Sequence, residues 1–286
     1  MIAMKLLTLN THSLEEPGYV EKTEKFIEML VKEQPDIVAL QEVNQSQNAA
    51  ELPDVMLDGY TRCGGFELPV RADNHAAYVV KELRKRGIYY DWTWISAKTG
   101  YGKYDEGMAL LSRKPIARVQ QFLISKTDDY ENWKTRRTLG IQPEGSSDWF
   151  FTVHMGWWND EEEPFADQWK CIQEALKDPE YGEGILWLMG DFNSQADVRG
   201  EGYDLVLKSG WKDTYLLAEE KDDGITVAEE IDGWREEDGR SGSTKNEKRL
   251  DYIFCNTPAD VRSSNVICNG KNAPVVSDHY GVMITV

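Results

Sequence analysis

The sequence predicts an α/β fold. Two observations carry that expectation: short apolar runs bounded by turn residues, and amphipathic stretches that fall between pairs of those runs. A third concerns organisation. No Pro- or Ser-rich linker and no internal repeat divides the chain, so residues 1–286 read as one domain. A chain of 286 residues buries a large core, and ten Trp, thirteen Tyr and eight Phe supply its volume.

The first strand is "KLLTL" (5–9). The N-terminus "MIAMKLLTLN" has a lysine in mid-run and no cleavage-site pattern, so it reads as strand rather than leader, with Met4 an alternative start. In "YVEKTEKFIEMLVKEQPD" (19–36), Phe26, Ile27, Leu30 and Val31 recur at helical spacing until Pro35 stops them. "DIVAL" (36–40) follows as the second strand, and "KELRKRG" (81–87) reads as the solvated end of a short helix. "GMALLS" (107–112), "RTLGIQ" (137–142) and "DWFFTV" (148–153) are further strands. A second helix opens within "EEEPFADQWKCIQEALKD" (161–178), with acidic residues and Pro164 in its first turn, as the helix dipole prefers. "GILWLM" (184–189), "RLDYIFC" (249–255) and "GVMITV" (281–286) complete the strands, and 219–248 reads as a long acidic loop. Strand, helix, strand at the start and again over 148–190 implies two halves of similar architecture.

Charge narrows the function. Lys and Arg total 32 against 50 Asp and Glu, a formal charge of −18. Such a surface repels polyanions, and there is no basic stripe of the kind that grips nucleic acid, so DNA or RNA is disfavoured as a partner. A local positive pocket for one phosphate is still compatible with it. The four cysteines (63, 171, 255, 268) lack ligand spacing and read as reduced, mostly buried thiols of a cytoplasmic protein. No apolar run approaches a membrane span.

The informative feature is where polar residues fall. Asn10 follows "KLLTL", Glu42 follows "DIVALQ", His154 follows "DWFFTV", and Asp191 and Asn193 follow "GILWLMG". Asp251 opens a late strand and Asp278-His279 precede the last one. If the late strands run antiparallel to the earlier ones, all these groups meet at one edge, where α/β folds place ligands. In an extended stretch Asp191 and Asn193 would also project to the same side. Each residue alone has a plainer explanation. Asn10 suits a turn, Glu42 a helix N-terminus, and His154 a hydrogen-bonded core position. Asp251 inside an apolar run needs a partner, which His279 on a neighbouring strand would supply.

The stretches "LTLNTH" (7–12), "PDIVALQEV" (35–43), "DEGMALLSRKPI" (105–116), "FTVHMG" (151–156), "GDFNS" (190–194), "RLDYIF" (249–254) and "SDH" (277–279), in this order, resemble the endonuclease/exonuclease/phosphatase (DNase I-like) superfamily. The resemblance implies a four-layer α/β/β/α sandwich, with two mixed β-sheets packed face to face and helices outside. It implies Mg²⁺-dependent phosphoester hydrolysis, with Mn²⁺ as a possible substitute. Glu42 would be the main metal ligand beside Asn10, with Asp191, Asn193 and Asp278 as further donors. Asp191 would orient or deprotonate the water, and Asn193 would hold the water or the phosphate. His279, oriented by Asp251, and His154 would contact the phosphate. Some nucleases of the class carry Asp where this chain has His12, which leaves one or two metals open. A hard ion suits these oxygen donors, and it neutralises charge that would otherwise repel the nucleophile.

Trp157, Trp158, Asn159 and Asp160 directly follow the His154 segment. The two tryptophans either pack on the core or form a flat platform for a sugar ring or base, with Asn159 and Asp160 reaching hydroxyls. Arg136 and Arg137 in "WKTRR" offer a phosphate clamp or are ordinary surface charges. The Trp-rich segment and the acidity also resemble a bacterial branch that includes RgfB-like proteins and maltose 6'-phosphate phosphatase. That resemblance implies a small phosphorylated sugar as substrate. The alternatives are a nuclease acting on DNA or RNA with the same chemistry, and a non-catalytic descendant that binds sugar or a partner.

Overall fold

The structure, a computed structural model, describes residues 3–66, 68–228 and 247–286. The first half runs β1 (Lys5–Asn10), α1 (Tyr19–Glu33), β2 (Ile37–Ser46), α2 (His75–Lys85), β3 (Asp91–Gly100), β4 (Tyr104–Ser112) and β5 (Ile116–Leu123). The second runs β6 (Arg137–Pro143), β7 (Trp149–His154), α3 (Phe165–Ala175), β8 (Leu186–Asp191), α4 (Gly202–Lys208), β9 (Lys212–Asp213), α5 (Thr214–Leu217) and β10 (Glu220–Lys221). Strands β11 (Asp251–Cys255), β12 (Ser263–Ile267) and β13 (Gly281–Thr285) follow.

They form a seven-stranded sheet, ordered β10-β12-β13-β1-β2-β4-β3, and a six-stranded sheet, ordered β5-β6-β7-β8-β11-β9. Both are mixed: β1 runs parallel to β2 and antiparallel to β13, and β8 runs parallel to β7 and antiparallel to β11. Alternation along the strands sorts the apolar side chains into three cores. Leu6, Ile37, Ala39, Leu139, Phe150, Trp187 and Ile253 meet between the sheets. Val38, Leu40 and Trp94 pack outward against Phe26, Ile27, Val79 and Leu83 of α1 and α2. Phe151, Leu188 and Phe254 pack outward against Trp169, Ile172 and Val206 of α3 and α4. Three cores make four layers, the expected sandwich. Each fully buried Leu, Ile or Phe in them contributes about 1.5–3 kcal/mol.

The helices follow their sequence signals. The α1 helix buries the stripe Thr23, Phe26, Ile27, Met29 and Leu30, and it ends where Gln34 turns left-handed at φ 44 ahead of Pro35. Pro164 stands just before α3, which is shorter than the expected 161–178 stretch. Three substantial strands were not legible. Strand β5 is a half-exposed edge strand with no clean alternation, β12 lies one strand from the rim, and β3 mixes Thr, Ser and Lys with its tryptophans. The expected acidic loop over 219–248 is replaced at its start by β10, and Val227 bridges Lys248; residues 229–246 lie outside the described residues.

Candidate active site

Asn10, Glu42, His154, Asp191, Asp251 and His279, singled out in the sequence, meet at one edge of the sandwich. His154, Asp191 and Asp251 are direct Cα partners across β7, β8 and β11, so their side chains share one rung and one face. Gly190 makes that rung possible: it holds φ 150, and a Cβ there would meet the Val153 carbonyl oxygen at 2.0 Å. Asn10, the last residue of β1, reaches across from the other sheet. Its Nδ2 donates to Glu42 Oε1 at 2.9 Å and to Asp191 Oδ2 at 3.2 Å.

Glu42 does not follow its strand, as expected, but sits inside β2. Val38 and Leu40 face the helical layer, and strict alternation would send Glu42 there too. A bulge between Leu40 and Val43, with Glu42 at φ 51, turns the carboxylate to the inter-sheet edge instead. The 191–193 segment also departs from expectation. It is not extended, because Asn193 adopts φ 45 and its backbone N–H donates to Asp191 Oδ1 at 2.8 Å. Asn193 Nδ2 donates to the Met155 carbonyl at 2.9 Å. Turn and site are therefore one feature.

His279 meets Asp251 as expected, with Nδ1 2.9 Å from Oδ2, but not from a neighbouring strand. It enters from the loop before β13, in the opposite sheet, while Asp251 belongs to β11. His279 Nε2 lies 3.8 Å from Asp191 Oδ2, and His154 Nε2 lies 3.7 Å from the same oxygen and 3.9 Å from Glu42 Oε1.

Electrostatics divides these groups. Burial pushes the Asp191 carboxyl up to about 7, with Asp251 adding to the effect and His279 and Asn10 opposing it. Burial also raises Glu42, reinforced by the charges of Glu106 and Asp278. For His279 burial disfavours the charge, but Asp251 and then Asp191 overcome it and hold the imidazole well above its ordinary value. His154 goes the other way, lowered by burial and by the cations Arg136 and Lys98. One histidine is thus a charged donor and the other a neutral ring.

Asp278 belongs to an adjoining group with His12 and Glu16, whose ligand atoms lie within 4.8 Å of one another, as do those of Asp191, Asp251 and His279. His12 Nδ1 is 3.1 Å from Glu16 and 3.9 Å from Asp278. Glu16 and its neighbours Glu42 and Asp278 outweigh burial to raise His12 to about 9. The donor set fits a hard dication. A buried carboxylate, Asp191, and a half-buried one, Glu42, converge on one carboxamide, and desolvation makes both reluctant to ionise unless a cation is close. Glu42, Asn10 and Asp191 would hold it, with Asp278 nearby.

The remaining residues separate. Arg136 is buried, and the charges of Glu106, Glu42 and Asp191 act on it. Arg137 instead donates to Gln121 on the edge strand β5 at 2.8 Å. Trp158 packs on the outer core near Phe165, whereas Trp157 lies tilted against Trp133 with ring centroids 5.5 Å apart. Asn159 is exposed on the turn between them and α3, and Asp160 is bound by Lys134. Sequence reasoning missed Lys98, Glu106 and Trp133. Glu106 lies in the quoted "DEGMALLSRKPI" stretch without a role, Lys98 sits on the unread β3, and Trp133 neighbours the arginine pair.

Fold and site together define a phosphoester-cleaving class of protein, and the sequence gives its family. The chain belongs to the Endonuclease/Exonuclease/phosphatase family, whose model matches residues 7–279. Its structure is similar to that of an endonuclease/exonuclease/phosphatase family protein from Leptotrichia buccalis, at 34% identity, 98% coverage of each chain and a TM-score of 0.82. It is also similar to a mannosyl-6-phosphatase from Bacteroides thetaiotaomicron, at 17% identity, 99% coverage of each chain and a TM-score of 0.64. A third likeness is to D. rerio TDP2 complexed with single strand DNA product, at 14% identity, 100% coverage of this chain, 99% of that one and a TM-score of 0.58. The last two establish the fold alone. No curated protein matches the chain.

Proposed function

We propose that the protein is a Mg²⁺-dependent phosphomonoesterase that releases phosphate from a small phosphorylated sugar such as maltose 6'-phosphate, in the cytoplasm. The observation that carries this reading is the company the carboxylates keep: a buried Arg136 on one side and an aromatic pair, Trp133 and Trp157, beside it. Arg136 suits the phosphate, and the Trp157 ring suits the apolar face of a sugar, with Asn159 toward its hydroxyls. Arg137 and Trp158 are further from that role, given their contacts with Gln121 and the outer core.

A dication held by Glu42, Asn10 and Asp191 would supply charge neutralisation at the phosphoryl oxygens. Asp191, ionised when the cation is close, takes a proton from the attacking water, or orients that water with Asn193. The water oxygen forms a new bond to phosphorus as the bond from phosphorus to the sugar oxygen breaks. The sugar oxygen leaves as an alcohol with a proton from solvent, the proton on Asp191 passes to solvent, and phosphate remains. His279 Nε2 donates to the phosphoryl oxygens while Asp251 holds Nδ1–H, fixing the ring. Neutral His154 adds a donor without adding charge.

A phosphate-release screen over sugar phosphates, nucleotides and short DNA, with and without Mg²⁺, tests the reading. A sugar monophosphate should be turned over fastest and only with metal; faster cleavage of DNA would replace it with the nuclease reading. Glu42→Gln should raise the Mg²⁺ concentration for half-maximal activity by about tenfold or more, since neutral Gln keeps the shape and loses the charge. An unchanged titration would remove Glu42 as a ligand.

A further inference from the structure

Lys98 has no part in the chemistry above, yet it is a lysine only 7% exposed at the edge of the site. Its Nζ lies 3.1 Å from Glu106 Oε1 and donates to the Trp133 carbonyl at 2.8 Å. Arg136, 4% exposed, donates from Nη1 to the same carbonyl oxygen, also at 2.8 Å. Two buried cations therefore converge on one backbone oxygen. Like charges in that position repel one another, and burial strips them of water.

The rung beneath them is equally telling. Asn44 and Lys98 are both direct Cα partners of Glu106, so the three side chains stand next to one another on one face of β2, β4 and β3. Asn44 is fully buried, and neither its Oδ1 nor its Nδ2 has a hydrogen-bond partner; Nε of Arg136 also has none. Buried polar groups with unfilled capacity are rare because each is costly, so an unfilled carboxamide on the same row as Glu106 and Lys98 points to a missing polar ligand. The charges of Lys98 and Arg136 act on His154, and Lys98 also interacts with Glu42, which ties this corner to the reacting centre.

We propose that Lys98, Arg136 and Asn44 form a subsite for the terminal oxygens of a phosphate dianion and thereby select monoesters over diesters. The inference rests on the monoesterase reading and names the residues that enforce it. A monoester presents three terminal oxygens and two negative charges. A diester presents two oxygens and one charge, with an esterified group in the third position. With Glu106 offsetting Lys98, one net positive charge is left to match the second negative charge, and the carboxamide offers a donor and an acceptor to a partly protonated oxygen. A diester would press its second organic group against two desolvated cations and leave Asn44 unpaired. Glu106 anchors Lys98, and the Trp133 carbonyl fixes the direction of both cations.

The test compares kcat/KM for p-nitrophenyl phosphate and bis(p-nitrophenyl) phosphate in Mg²⁺, with wild type, Lys98→Met, Asn44→Leu and Lys98→Arg. The double variant Lys98→Met/Glu106→Gln covers the case in which Lys98→Met misfolds because Glu106 is left buried and unpaired. Losing the cation should lower monoester turnover by about a hundredfold and diester turnover by a much smaller factor, collapsing the ratio. Lys98→Arg should restore part of it, and inorganic phosphate should inhibit the Met variants more weakly. Equal losses on both esters, or an unchanged ratio in a folded double variant, would overturn the inference and leave the monoesterase reading intact. A wild-type protein that prefers the diester would overturn that reading itself, whatever the variants do.

Discussion

At the scale of single residues, the site separates two histidines that the sequence presents as alike. His279 is held charged by Asp251 and Asp191, and His154 is held neutral by burial and two cations. Asp251 governs the first of these, since its side chain is fully buried and its Oδ2 receives His279 Nδ1 at 2.9 Å. Replacing it with Asn keeps the volume and an oxygen that can accept from Nδ1–H, but removes the charge that favours the imidazolium. Asp251→Asn should therefore lower kcat by about a hundredfold or more, equally on p-nitrophenyl phosphate and on a sugar phosphate, with the circular dichroism spectrum unchanged. A loss confined to the sugar substrate would move Asp251 from the reacting centre to substrate recognition. The residues at this edge were legible because Asn10, Glu42, His154, Asp191 and Asp251 all fall beside apolar runs, a coincidence that their separate plainer explanations do not account for. Lys98 was not. In "WTWISAKTG" a lysine reads as solvated, and only the pairing of β3 with β4 reveals that it is buried against Glu106.

At the scale of elements, short apolar runs named the inner strands and period-3.6 spacing and N-terminal signals named α1 and α3, while strands near the rims escaped because their apolar runs are interrupted. The β2 bulge was also illegible: nothing in "VALQEVN" announces the extra residue that turns Glu42 inward. The helical layer carries its own sensitivity. His75 opens α2, 3% exposed, with Nδ1 3.1 Å from the Tyr19 hydroxyl and its ring stacked on Phe26. Burial lowers its pKa from 6.5 to about 4. Between those values the unfolded chain binds the proton and the folded one does not. The stabilisation is full above pH 6.5 and is lost as pH falls toward 4, up to about 3 kcal/mol in all. The urea midpoint of the wild type should fall between pH 7 and pH 5, and His75→Phe should show a smaller fall, whatever its stability at pH 7. Parallel falls in the two proteins would mean that other groups carry the acid sensitivity.

At the scale of the whole molecule, a charge of −18 surrounds a site that contains Lys98, Arg136 and His279 close together. The far field repels anions and the near field attracts them. A small sugar phosphate feels the near field once it arrives, and its single phosphate gives the far field little to act on. An oligonucleotide spreads its phosphates over the outer surface and feels the repulsion along its length. Salt screens the far field first, because at about 0.15 M the screening length is about 8 Å while the buried cations are shielded from solvent ions. Raising ionic strength from about 0.02 to 0.2 M should therefore increase kcat/KM for a 5'-phosphorylated oligonucleotide and leave kcat/KM for a sugar phosphate flat or slightly lower. DNA-binding proteins show the opposite sign, because their contacts release counterions as they form. A steep fall in oligonucleotide turnover with salt would therefore indicate a basic nucleic-acid track that outweighs the −18 surface.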